Sequence, residues 1–217
     1  MELSIIQKIA VWAIPILFAI SLHEVAHGWV ASFFGDKTAK FAGRLSLNPL
    51  KHIDLIGTII IPLFMLIVSN FIFGWAKPVP IDARNMRHPR RDMAFVALAG
   101  PLANLLMAFA WGGIAKIGML LDNGGNHWLG VPLLYMGGAG IMINVVLAIL
   151  NLIPLPPLDG GRILLSLLPP RLAYHYSLIE PYGFLILVLL LMFGILSLVM
   201  GPPVYFLITL IGNIFGL

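Results

Sequence analysis

The chain has 217 residues, 60% of them hydrophobic and only 10% charged, with a mean hydropathy of +0.99. A water-soluble domain of this size could not bury so much apolar surface, since roughly a quarter of an ordinary globular chain is charged. The composition therefore excludes a soluble enzyme and predicts one compact integral membrane domain over 1–217, with a core at 11–165 and C-terminal membrane segments at 175–217. The net charge is +4, and nine of the 13 Lys and Arg fall in two stretches, Lys37 to Lys51 and Lys77 to Arg91. Neither is interleaved with aromatic residues as a nucleic-acid surface would be, so both read as charge flanking a bilayer.

Apolar runs long enough to cross about 30 Å of hydrocarbon lie at 11–32, 55–74, 93–115, 131–153 and 183–200, with a shorter run at 203–217. The expected fold is an all-α polytopic membrane protein of six membrane segments. The first run is too long and too polar to be a signal peptide and is expected to stay as an anchor. Between the runs, Phe41, Leu45 and Leu47 alternate with polar positions in 39–47, as Val79 and Ile81 do in 77–82. Short strands are expected there, the second only as an edge because Pro78 and Pro80 lack a backbone donor. Asn123, Gly124 and Gly125 mark a turn between the third and fourth runs. Gly201, Pro202 and Pro203 are expected to separate the last two segments, which carry no charge from 183 to 217 and serve either as a substrate gate or as packing helices.

Ionisable side chains inside a span cost about 2.5 to 3.5 kcal/mol each on insertion scales, so the cluster SLHEVAHGW in the first run asks for a reason. His23 and His27 are four residues apart, on one face of a helix, where two imidazoles can take two corners of a metal site. Glu24, beside them, occupies the position that in an HExxH string belongs to the general base for a metal-activated water. No cysteine is present, so a third ligand must come from the nine acids or the remaining histidines. Asp159 in NLIPLPPLDGGRI is the candidate. Pro154, Pro156 and Pro157 stop the preceding helix, and Gly160 and Gly161 remove Cβ atoms where the chain turns or is approached closely. Asp159 reads equally as the cap of a helix beginning at Arg162. Asn151, an amide in an apolar run, reads either as a donor to a developing oxyanion or as a partner for a neighbouring helix. His52, His88, His127 and His175 are isolated, and Glu180 lies outside any ligand motif.

HEVAHG at 23–28, AGPLAN at 99–104 and NLIPLPPLDGG at 151–161, in that order, resemble the motifs of the site-2 protease family of intramembrane zinc metalloproteases. The resemblance implies one Zn2+ held by His23, His27 and Asp159, Glu24 as catalytic base, and Asn151 holding or polarising the substrate. It also implies membrane-associated strands that pair with unwound substrate, and close packing or a helix break at Gly100 and Pro101. Some relatives carry a PDZ or nucleotide-sensing module, for which this chain is expected to have no room.

His23 and His27 sit in the second half of the first run, and Asp159 follows the end of the fourth. For the three to meet, the first and fourth helices must be parallel, which makes 55–74 a re-entrant hairpin broken near Pro62. Both basic stretches then share one face with Arg162 and Arg171, against Lys116 alone on the other, and the positive-inside rule puts the site towards the cytoplasm. The expected activity is a zinc endopeptidase in a prokaryotic cell membrane, cleaving transmembrane protein substrates in or near their spans, with no nucleic-acid partner. The alternative is a metal transporter or a helix-binding pseudoprotease. The lack of repeated halves and Glu24 beside the ligand pair argue against a transporter, and the presence of both Glu24 and Asp159 argues against a pseudoprotease.

Overall fold

The computed structural model describes residues 5–48 and 77–217, with positions 51, 54, 57 and 60 between them. Among these residues the chain is helical, with no strand. The long helices are α1 (Ile5–Phe33), α3 (Pro89–Asn123), α4 (His127–Asn151) and α8 (Ile195–Phe215), each long and apolar enough to cross a membrane. Shorter elements are α2 (Thr38–Phe41), a 3-10 turn (Ala83–Asn85), α5 (Asp159–Leu167), α6 (Pro170–Ser177) and α7 (Glu180–Met192). If α6 and α7, bent by 62° across their short break, are one broken span, the total is five.

The described residues thus do not supply the six segments expected. The run at 55–74 falls largely outside the described residues, and the C-terminal runs divide differently from expectation. The break comes at Gly194, where φ of 72° ends α7 in the left-handed conformation that favours glycine. Pro202 and Pro203 lie inside α8 rather than before it, as prolines can in apolar helices whose neighbours accommodate the freed carbonyls.

The helices pack through two small apolar clusters in which alanines sit beside larger side chains. Ala108 and Trp111 of α3, Ile141 and Val145 of α4 and Ile211 of α8 form one buried cluster, and Ala31, Met86 and Val96 form a second beside the site. Trp29, Phe33, Leu106, Leu198 and Tyr205 stand outward and exposed. Apolar surface on that scale would promote aggregation in water and suits contact with lipid. At about 1.5 Å per residue α3 is roughly 52 Å long, more than the hydrocarbon thickness, so one end of it carries the basic segment clear of the apolar layer.

Both expected strands are absent for an identifiable reason. In 39–47, Asp36 accepts the Thr38 N–H at 3.0 Å and the Thr38 hydroxyl, which starts the turn of α2 instead of an extended run. The 77–82 segment is extended, but Pro78 and Pro80 have no N–H, and two of the remaining donors go to carboxylates: Val79 N–H to Glu24 Oε2 at 2.8 Å and Asp82 N–H to Asp36 Oδ2 at 2.8 Å. A ladder would need those groups free.

Asp36 is fully buried and also accepts from Asn85 Nδ2 at 3.1 Å, so one carboxylate joins the end of α1 to the segment covering the site. Burial alone would raise its pKa. The hydrogen bonds from Thr38, the Asp82 N–H and Asn85 outweigh burial and hold the carboxyl below its usual range. A folded pKa below the unfolded value means that the stabilisation is complete above about pH 4 and is lost as pH falls through the folded value. The melting temperature of the wild type should therefore drop as pH is lowered from 5 towards 3. Asp36→Asn should melt lower at neutral pH and show a shallower decline, as read by thermal unfolding across that range.

Candidate metal centre and cavity

His23 and His27 lie on one face of the C-terminal half of α1, as their spacing predicts, and they are 8% and 6% exposed. α3 runs back along α1, so that Val96 near its start meets His27, while the end of α4 returns the chain to the same level. The loop after α4 then delivers Asp159, 6% exposed, with Oδ2 at 3.1 Å from His23 Nε2 and 3.2 Å from His27 Nε2. The two Nε2 atoms are 3.0 Å apart. Helix α5 begins at Asp159 itself, its N-cap is Leu158, and no side chain caps it. The capping alternative for Asp159 thus gives way to a carboxylate turned into the bundle. Gly160 allows this approach, since a Cβ there would stand 2.4 Å from the Leu152 carbonyl oxygen.

The donor chemistry of this trio fits a divalent cation. His27 Nδ1 is 2.7 Å from the Val96 carbonyl, which can only accept, so Nδ1 carries the hydrogen and a neutral imidazole presents a bare Nε2. Asp159 Oδ2 is buried and has no hydrogen-bond donor among the described residues. Lone pairs converging at about 3 Å in an apolar bundle repel one another unless a cation lies among them. Two imidazole nitrogens and one carboxylate oxygen, without thiolate, form a set of the kind zinc accepts, with a coordination position left over.

Gly100 of α3 makes the convergence possible. A Cβ at that position would lie 2.5 Å from both His23 Cε1 and His27 Nε2. This gives the close packing expected at 99–101 a specific object: the backbone of α3 lies flat against the two imidazoles. Gly100→Ala should keep its helix, since alanine is favoured there by about 1 kcal/mol. It should nevertheless displace both rings and weaken the binding of a divalent metal ion, with unchanged far-ultraviolet circular dichroism.

Glu24 is half-buried and held by the Val79 N–H. It shares with His23, His27, Asp159 and Asn151 a cavity of about 650 Å³ whose wall includes Pro78, Val79, Arg162 and Glu180. Asn151 donates one N–H to the Leu147 carbonyl in its own helix at 3.0 Å and faces the cavity. Glu180 and Arg162 were not singled out as site residues by the sequence, because the first lies 21 positions beyond Asp159 and only the bend between α6 and α7 brings it to the cavity wall. His88, His127 and His175 are exposed and lie outside the cavity, while His52 is not among the described residues.

The profile of peptidase family M50 matches residues 129–193. A Bacillus subtilis protein named "Putative zinc metalloprotease YwhC" is 38% identical over 197 residues, covering 87% of this chain and 83% of its own length. A Mycolicibacterium smegmatis protein, "Putative zinc metalloprotease Rip2", is 29% identical over 81% of this chain and 64% of its own. "Zinc metalloprotease MJ0392" of Methanocaldococcus jannaschii is 25% identical over 90% of this chain, which spans 47% of that protein. No solved structure matches. A helical membrane bundle, a buried pair of histidines in HExxH spacing with a converging aspartate, and similarity across most of a relative's length lead to one conclusion: the chain belongs to peptidase family M50, the site-2 proteases, and is a metalloendopeptidase.

Proposed function

We propose that the protein is an intramembrane zinc endopeptidase that hydrolyses peptide bonds in or near the transmembrane segments of other proteins. The observation that carries this reading is the convergence of His23, His27 and Asp159 on the same cavity as Glu24, at the C-terminal end of a membrane helix. In this reading His23, His27 and Asp159 hold a single zinc ion, which supplies Lewis acidity that activates water and polarises the scissile carbonyl.

The chain's own residues do the rest. Glu24 accepts a proton from the attacking water as the new C–O bond forms, then returns it to the leaving nitrogen as the C–N bond breaks. The Val79 N–H fixes one oxygen of that carboxylate and so fixes its aim. The second N–H of Asn151 donates to the oxygen that gains negative charge, or to substrate backbone beside it. A bond inside a helix is shielded, so the substrate must unwind where it enters the cavity. The active site opens towards the cytoplasm, on the side where the basic residues of 77–91 and 162–171 gather.

The test uses single-span peptides labelled at both ends and reconstituted with the zinc-loaded protein in liposomes. Cleavage within the span, abolished by a chelator and restored by zinc, is the expected result. Cleavage of soluble peptides alone would contradict the intramembrane reading.

A further inference from the structure

Behind the metal-facing edge of His23 lies a chain of amides. His23 Nδ1 is 2.5 Å from Asn104 Oδ1; Asn104 Nδ2 is 2.9 Å from Asn144 Oδ1 and 3.2 Å from the Ala19 carbonyl; Asn144 Nδ2 is 2.9 Å from the Gly140 carbonyl. Both asparagines are fully buried, one on α3 and one on α4, among residues that are otherwise apolar or small. Amides at this depth are costly unless paired, and a bundle that needed only packing would use alanine or leucine here.

The polarity of the chain is fixed by its ends. The Gly140 and Ala19 carbonyls can only accept, so Asn144 must donate to Gly140 and turn its own oxygen to Asn104. Asn104 must then use both its N–H groups, on Asn144 and Ala19, and face His23 with its oxygen. A neutral His23 can meet that oxygen only as the Nδ1–H tautomer, which leaves Nε2 bare and aimed at Asp159 and His27. His27 reaches the same state through Val96. We infer that Asn104 and, through it, Asn144 are positioning residues that lock the tautomer and ring orientation of His23 for metal binding.

This inference rests on the zinc reading above. Outer-shell partners of ligating histidines typically change metal affinity by about 10–100-fold when lost. The experiment measures zinc affinity of the purified full-length protein by chelator competition, together with the visible spectrum of the cobalt(II)-substituted protein, for wild type, Asn104→Leu, Asn104→Asp and Asn144→Leu.

Asn104→Leu should weaken zinc by about 10–100-fold and shift the cobalt bands. Asn104→Asp keeps an acceptor against His23 while losing both donors of the amide, so it should bind zinc far more tightly than Asn104→Leu. Asn144→Leu, one link removed, should weaken zinc in the same direction by a smaller factor, and it carries the test if Asn104→Leu does not fold. Wild-type affinity in Asn104→Leu or Asn144→Leu would overturn the positioning role. Equal losses in Asn104→Asp and Asn104→Leu would overturn it too, in favour of packing. A wild type that binds no zinc would instead overturn the zinc reading itself, and the positioning role with it.

Discussion

Glu24→Gln is expected to retain one zinc per chain and to lower cleavage of a reconstituted transmembrane substrate by about 10²- to 10⁴-fold, the usual contribution of a positioned general base. The amide is nearly isosteric, and its oxygen can still accept the Val79 N–H that the carboxylate accepts at 2.8 Å, so the 77–82 segment should stay in place. Only the capacity to take a proton is removed. Glu24 does not enter the His23, His27 and Asp159 cluster, and zinc content should therefore not follow activity. Zinc analysis and single-turnover cleavage on the same preparation separate the two. Joint loss of metal and activity would instead make Glu24 a ligand.

Asp159→Ala should have the opposite signature, losing metal first and activity as a consequence. Two imidazoles remain, with their Nε2 atoms 3.0 Å apart and no anionic oxygen to complete the set. The expected fall in zinc affinity exceeds the 10–100-fold typical of an outer-shell partner, because Asp159 is a direct ligand in the proposed site. The protein should still fold, since α5 is capped without the aspartate side chain and removing a buried, unsatisfied carboxylate oxygen relieves the apoprotein. Thermal unfolding should show Asp159→Ala at least as stable as wild type without metal and less stable than wild type with zinc, since a ligand stabilises only the state that binds it.

The parts of this protein that were legible in the sequence are those governed by local rules. Hydropathy located α1, α3 and α4, because a bilayer imposes length and apolarity on a single segment at a time. His23 and His27 were legible because a helix puts residues four apart on one face. Asp159 was a candidate because few acids are available and because prolines and glycines around it announced a departure from helix, but its approach to His23 and His27 at the start of α5 is tertiary.

The 77–82 strand was misread since alternation of apolar residues is only half of a strand. The other half is free backbone donors, and here Glu24 and Asp36 occupy them from distant positions. Pro202 and Pro203 misled for a related reason, as the same dipeptide that ends a helix in water is carried inside α8. Asn104 stood within a motif already noted, yet only the contact with His23 81 residues away gives it a role. An amide inside an apolar run, four residues after the glycine that admits the two imidazoles, was the available signal.

Metal reconstitution tests most directly whether this protease depends on one zinc ion. The purified protein is stripped with a chelator, zinc is returned in steps, and cleavage of a reconstituted single-span substrate is followed at each step. Activity that is absent from the stripped protein and reaches its maximum at one zinc per chain is the result predicted. Full cleavage by the stripped protein, or none at one bound zinc, would contradict it.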